Sequence, residues 1–188
     1  IMRQQKFGRI IFVSSSSGLY GNAGQANYAA AKMAVIGLAS SLALEGKSSN
    51  IMVNTIAPVA GSRMTETVMP PELVAALKPE YVSPLVLLLS HESNTETGGI
   101  YEAGAGWFAK LRWERSKGLL LPAQNSNVET LKSQFDKVTD WNASERPTSG
   151  KDIFATLMSN LENTSEQSSS AATSSASTGS KDAAKSNS

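Results

Sequence analysis

The order of elements near the start of the chain constrains its fold more than any other feature. Arg9-Ile10-Ile11-Phe12-Val13 is a short, continuous apolar run rich in β-branched residues. Such runs belong to strands buried on both faces of a parallel sheet. A Ser/Gly-rich loop follows (Ser14 to Gly24), then a helical stretch from about Ala26 to Gly46. Ile51 to Ile56 is a second strand, ended by Ala57-Pro58. Met69 to Leu73 reads as a short helix with proline in its first turn. Tyr81 to Leu89 is another helix, and Gly99 to Ala103 a third strand. Strands separated by helices imply βαβ crossovers, so the chain is expected to be α/β with a parallel sheet. Three strands leave unpaired edges, which suggests that earlier strands precede Ile1.

The rest of the chain changes character. Trp107 to Trp113 alternates as a half-buried strand does, with its tryptophans expected to pack. Val128, Leu131, Phe135 and Val138 share one helical face, and Ile153, Phe154, Leu157 and Leu161 another. From Glu162 onward Ser, Ala and Thr dominate, and such a composition buries too little apolar area to offset ordering entropy. The expected organisation is therefore an α/β segment over 1–118, a helical extension over 119–161 and a disordered Ser/Ala-rich linker over 162–188.

Composition removes several function classes. With 17 basic and 16 acidic residues, and no basic stripe interleaved with aromatics, nucleic acid is not an expected partner. No continuous apolar run approaches the ~18 residues that span a bilayer; the longest, Pro84 to Leu89, is expected in a buried helix. The absence of cysteine removes disulfides and thiolate metal sites and suits a reducing compartment. A single histidine, His91, leaves no His-based triad or zinc site, and no metal is expected. It falls at a helix end, where a polar cap is its ordinary role.

Tyr28 and Lys32 stand four residues apart in the first long helix, so both side chains share one face. A phenol of pKa ~10 is a poor base at neutral pH. An ammonium ~4 Å away, at an effective dielectric of ~20, favours the phenolate by up to ~4 kcal/mol. That is roughly three pKa units, enough to bring the phenolate within reach of neutrality. Ser15 lies thirteen residues upstream, at the C-terminal end of a strand, where open α/β sheets place their ligands. Its hydroxyl is suited to holding a substrate oxygen while Tyr28 exchanges the proton. Spacing alone does not separate Ser15 from Ser16 and Ser17. Taken singly, a Tyr and a Lys one turn apart are ordinarily a surface pair, and a serine run before a helix is ordinarily turn chemistry. The order of strand, serines, Gly-rich loop, Tyr-x-x-x-Lys helix and second strand ending in Ala-Pro is what raises them above that.

With those residues in view, Arg9 to Arg115 resembles the second half of a short-chain dehydrogenase/reductase. Within that family it is most similar to the (3R)-hydroxyacyl-CoA dehydrogenase branch found in peroxisomal multifunctional enzymes. The strings that carry the narrower likeness are Tyr20 to Tyr28, Asn54 to Thr65 with its Ala-Gly-Ser-Arg-Met-Thr ending, Glu102 to Trp107, and Leu111 to Arg115. The resemblance implies a Rossmann-like, doubly wound parallel sheet whose N-terminal half is missing here. It implies Tyr28 as general acid/base, Ser15 as the group that orients and binds the substrate, and Lys32 as the residue that tunes Tyr28 and holds the nicotinamide ribose. Tyr28, Lys32 and the loop Ala60, Gly61, Ser62 and Arg63 are the implied cofactor contacts. Pro58-Val59 stands where many relatives have Pro-Gly. Met64, Met69 and Leu73 are the implied lining of an acyl channel, with a plain surface helix over Val68 to Leu77 as the alternative reading.

The implied activity is oxidation of (3R)-hydroxyacyl-CoA to 3-ketoacyl-CoA with NAD, in fatty-acid β-oxidation. An acyl-CoA substrate, a homodimer and a peroxisomal location come with it. The Gly-rich pyrophosphate turn, the relay asparagine and the residue that selects NAD over NADP are absent from these residues, so the segment alone is expected to be inactive. An NADPH-dependent ketoacyl or ketosteroid reductase, and an inert fragment serving as an interaction piece, are the alternative readings. The chain ends Lys-Ser-Asn-Ser rather than in a Ser-Lys-Leu signal.

Overall fold

The computed structural model describes residues 1–61 and 70–162. Two compact units divide the chain, Ile1–Arg112 and Trp113–Ser188. In the first, a one-turn helix α1 (Met2–Gln5) precedes β1 (Gly8–Val13). Then come α2 (Ser16–Tyr20), α3 (Ala26–Gly46) and β2 (Ile51–Pro58). β2 lies parallel to β1, from Gly8 opposite Ile51 to Val13 opposite Ile56. α4 (Pro71–Ala76) and α5 (Ser83–Ser90) lead to β3 (Ile100–Gly104), parallel to β2. The turn Ala105-Gly106, with φ of 50° and 82°, reverses the chain into β4 (Trp107–Leu111), antiparallel to β3. The sheet order is β1-β2-β3-β4. It is the α/β, Rossmann-like arrangement with a parallel sheet, and the alternating tryptophan stretch supplies a fourth strand.

Side-chain alternation along the strands builds one core on each face. Ile51 and Val53, with Ile10 and Phe12, pack on Ala39, Ala43 and Leu42 of α3. Ile56, Tyr101 and Ala103, with Ile11, pack on Val82, Leu85 and Leu89 on the α5 side. Burying each large aliphatic contributes about 1.5–3 kcal/mol. Ala26–Ser49 is by length and composition apolar enough to cross a membrane. Its buried residues, Ile36, Ala39, Ala43 and Gly46, recur at helical spacing, so in this fold the segment covers a sheet. The run Pro84 to Leu89 is not buried all round: Leu85 and Leu89 are, whereas Leu87 and Leu88 face outward.

The second unit starts five residues before the turn at Gly118, because Arg115–Ser116 (β5) pairs with Ser144–Glu145 (β6) and Arg115 bridges Glu145 at 2.7 Å. The expected helical extension thus includes a small ladder. Its first apolar stretch is broken into α6 (Val128–Ser133) and α7 (Phe135–Val138), because Gln134 leaves helical geometry at φ −125°, ψ 19°. Residues 151–162 form a last helix, α8. The Ser/Ala-rich stretch from residue 163 lies outside the described residues, as do Ser62, Arg63, Met64 and Met69.

Candidate active site

The C-terminal ends of β1 and β2 gather the expected residues. Ser14 is buried, and its hydroxyl donates to the backbone carbonyl of Lys32 at 2.8 Å, tying the exit of β1 to α3. Ser15 follows in extended geometry (φ −160°, ψ 155°) and caps α2, its Oγ accepting from the Ser17 amide at 3.2 Å. The stretch from Ser14 to Gly24, expected as loop throughout, therefore contains a helix. Its serine cap and its stop at Gly21 (φ 78°) are ordinary helix punctuation, hidden by a loop-like composition.

The four serines now separate. Ser14 is spent on α3. Ser17 is buried and donates to Gln25 Oε1 at 2.9 Å. Ser16 is exposed. Ser15 is half-buried, and its hydroxyl accepts one long bond while its proton is committed to no partner among the described residues. Of the four, its environment best suits a hydroxyl that must hold a ligand oxygen.

Lys32 Nζ donates to the carbonyl of Val13, the last residue of β1, at 3.1 Å. The same ammonium sits 5.7 Å from the Tyr28 ring centroid, within cation–π range. Tyr28 is 41% exposed, and its hydroxyl takes no hydrogen bond among the described residues. Lys32 and Tyr28 thus lie at the C-terminal end of β1, which Ser15 follows by two residues in the sequence.

Past β2, the Val59 amide donates to the Ala103 carbonyl at 2.8 Å and the Gly61 amide to Leu77 at 2.5 Å. A Cβ on Gly61 would fall 2.3 Å from the carbonyl oxygen of Val74, so only glycine lets the loop pass under α4. Ala60 packs against the α5 core, and Leu73 is half-exposed on α4. An apolar cleft of about 500 Å³ opens at this edge, lined in part by Val13, Ile56, Pro58, Ala60, Val82 and Val86.

Sequence reasoning passed over four residues here. Gln25 Oε1 accepts from both Ser17 and Asn22, closing the loop between α2 and α3. Tyr20 Oη donates to Glu102 Oε2 at 2.7 Å, and this carboxylate acceptor is the main cause that pushes the phenol above its ordinary range. Asn54, fully buried on β2, donates to the Glu96 carbonyl at 2.7 Å and accepts from the Gly99 amide at 3.0 Å. Long-range hydrogen bonds of this kind leave no periodic signal. His91 bonds locally to Ser93, as a polar cap does.

Comparison with known proteins bears on the family and the fold. The family described as short chain dehydrogenase matches residues 1–73. The chain is 54% identical over 148 residues to peroxisomal multifunctional enzyme type 2 of Mus musculus, covering 78% of this chain and 20% of that protein. It is 53% identical to the peroxisomal hydratase-dehydrogenase-epimerase of Neurospora crassa, over 85% of this chain and 18% of that one. The solved structure of full-length peroxisomal multifunctional enzyme type 2 from Drosophila melanogaster superposes with a TM-score of 0.76 at 39% identity. It covers 86% of this chain and 30% of the other. The chain spans about a fifth of the length of the first two relatives.

Proposed function

Since the chain belongs to the short-chain dehydrogenase family, we propose that it carries the proton-transfer residues of an NAD-dependent (3R)-3-hydroxyacyl-CoA dehydrogenase of fatty-acid β-oxidation. One observation carries the reading. The Lys32 ammonium is bonded at 3.1 Å to the carbonyl of Val13, two residues before Ser15, and lies 5.7 Å from the Tyr28 ring.

The residues present fit the nicotinamide end of a dinucleotide. Lys32 uses one of its three ammonium protons on Val13, which leaves two donors suited to a ribose diol. Ala60 and Gly61 follow closely on the end of β2, and Ser62 and Arg63, next in the sequence, are the further contacts that the family likeness implies. A bound nicotinamide dinucleotide supplies the hydride acceptor.

The chain's own residues do the rest. The Ser15 hydroxyl donates to the substrate's C3 oxygen and orients it. The Tyr28 phenol oxygen takes the proton from that oxygen as the C3 hydrogen departs with its electron pair, leaving the ketone. The Lys32 ammonium stabilises the charge carried by the Tyr28 oxygen before it accepts the proton.

The relatives' names support a peroxisomal location, and the family likeness implies an acyl-CoA substrate. A homodimer seam along α3 is supported by Leu38 and Leu44, 51% and 65% exposed, and by the open face at Gly37. The test is NADH formation from (3R)-hydroxyacyl-CoA by the intact gene product. Turnover confined to the (3S) epimer would overturn the proposal.

A further inference from the structure

α2 has five residues, too few to be stable alone, yet its N-cap is Ser15. Three contacts hold it. Ser17 bonds to Gln25 at the foot of α3. Gly18 lies flat on α3, where a Cβ would fall 2.7 Å from Lys32 Cβ and 3.0 Å from its carbonyl carbon. At the far end the Tyr20 hydroxyl reaches Glu102, 82 residues along the chain, at 2.7 Å.

The third contact is the unusual one. Tyr20 is 65% exposed, so burial of the ring does not place it there. Glu102 stands between Tyr101 and Ala103 on β3. Both of those pack in the α5-side core, so Glu102 points to the opposite face, the one that carries α3. A phenol donating to a carboxylate makes a short, charge-assisted bond, stronger than a neutral pair. The same acceptor holds the Tyr20 proton on the phenol.

We propose that Tyr20 and Glu102 form a strap that fixes α2, and through it the Ser15 hydroxyl, against α3. Both are positioning residues for the reaction assigned to Ser15, Tyr28 and Lys32, and the inference rests on that assignment. Ser15 is at once the cap of α2 and the substrate-orienting hydroxyl, so any tilt of the helix moves it relative to Lys32. Without the strap, α2 keeps the Ser17 and Gly18 contacts at its start, and its end at Tyr20 runs straight into the Gly21 corner.

The test is a double-mutant cycle in the intact gene product, with kcat and KM measured separately and amide exchange followed at residues 17–21. Misplacement of a catalytic group by ~1 Å costs up to ~10²-fold. Loss of one of three contacts is therefore expected to lower kcat by about three- to tenfold in Tyr20→Phe, with KM within about twofold. Tm is expected to move by no more than about 2 °C. Glu102→Ala behaves the same, the double variant is no worse than either single, and Glu102→Gln, which keeps an oxygen acceptor, recovers most of the loss. Amides 18–20 exchange faster in Tyr20→Phe. Unchanged exchange there overturns the strap whatever the kinetics, and so do unchanged kcat or additive losses. An inactive parent enzyme with accelerated exchange in Tyr20→Phe leaves the strap standing and removes the functional assignment instead.

Discussion

The two ends of the sheet use polar groups in opposite ways. Where the strands begin, polar side chains are spent inside the fold. The Arg9 guanidinium donates to four backbone carbonyls, those of Gly8, Asn50, His91 and Glu92. Asn54 satisfies both of its amide ends, Asn94 bonds to Leu89 and Glu96, and Thr97 accepts from the Val53 amide. Where the strands end, among the described residues, Tyr28 leaves its hydroxyl open, Ser15 leaves its proton uncommitted and Lys32 keeps two donors in hand. Both ends are built from the same strands and helices. Saturated hydrogen bonding fixes a fold; unsaturated hydrogen bonding held by that fold is what binds and reacts.

That contrast predicts which substitutions damage activity and which damage stability. Tyr28→Phe removes the open phenol and is expected to lower turnover of the intact enzyme by at least ~10²-fold, with Tm within about 2 °C of the parent. Asn54→Ala is the reverse case. It strips partners from the Gly99 amide and the Glu96 carbonyl, at ~1–3 kcal/mol each, so urea denaturation should show a loss on the order of 2–6 kcal/mol. The turnover of the molecules that remain folded should be unchanged. Equal losses of activity per folded molecule in the two variants would break the comparison.

Gly18→Ala sits between the ends. The added methyl meets backbone of Lys32 and Met33, at 3.0 and 3.1 Å, as well as the Lys32 Cβ, so α2 must move away from α3. Overpacking of this kind costs ~1–3 kcal/mol. It is expected to lower kcat by about tenfold, because the Ser15 cap moves with the helix. Thermal melts and kinetics on the same preparation would sharpen the distinction, since both readouts should fall together.

The parts legible in the sequence are those with local signals. β-branched runs marked β1 and β2, the spacing of small and apolar residues marked α3 to its observed bounds, and the i,i+4 pair put Tyr28 and Lys32 on one helical face. α2 escaped because three serines and two glycines look like loop until the caps are seen. Ser15, Ser16 and Ser17 are equivalent by spacing; their separation comes from Gln25, which takes the Ser17 hydroxyl, and from the burial that α2 imposes, which no short-range pattern encodes. The break at Gln134 and the exposure of Trp107 (56%) likewise follow from tertiary context. The roles of Asn54 and Glu102 depend on partners more than forty residues away.

The smallest effect concerns the outer flank of the strand-start end. Glu96 accepts from Lys110 and from the Tyr101 hydroxyl, and these bonds, the Lys110 one first, hold its carboxyl below the ordinary value of 4.5. The same carboxylate raises Lys110, while burial is the leading cause that raises Tyr101. A carboxyl lowered on folding stabilises the native state above its unfolded pKa, and that contribution is lost as pH falls through the lower folded value. Lys110 and Tyr101, both raised, contribute below their unfolded values of 10.5 and 10.0, and that share is lost as pH rises through the folded ones. The cluster therefore stabilises a window between the two limits. With the Glu96 and Lys110 side chains 52% and 54% exposed, solvent screening limits the gain to less than ~1 kcal/mol. Glu96→Gln is expected to flatten the acid limb of stability measured by urea between pH 3 and 7, as order-of-magnitude bounds for the experiment. It should leave turnover at neutral pH unchanged, and a Glu96→Gln variant that lost activity would mean the strand-start end is not the purely structural half of the sheet.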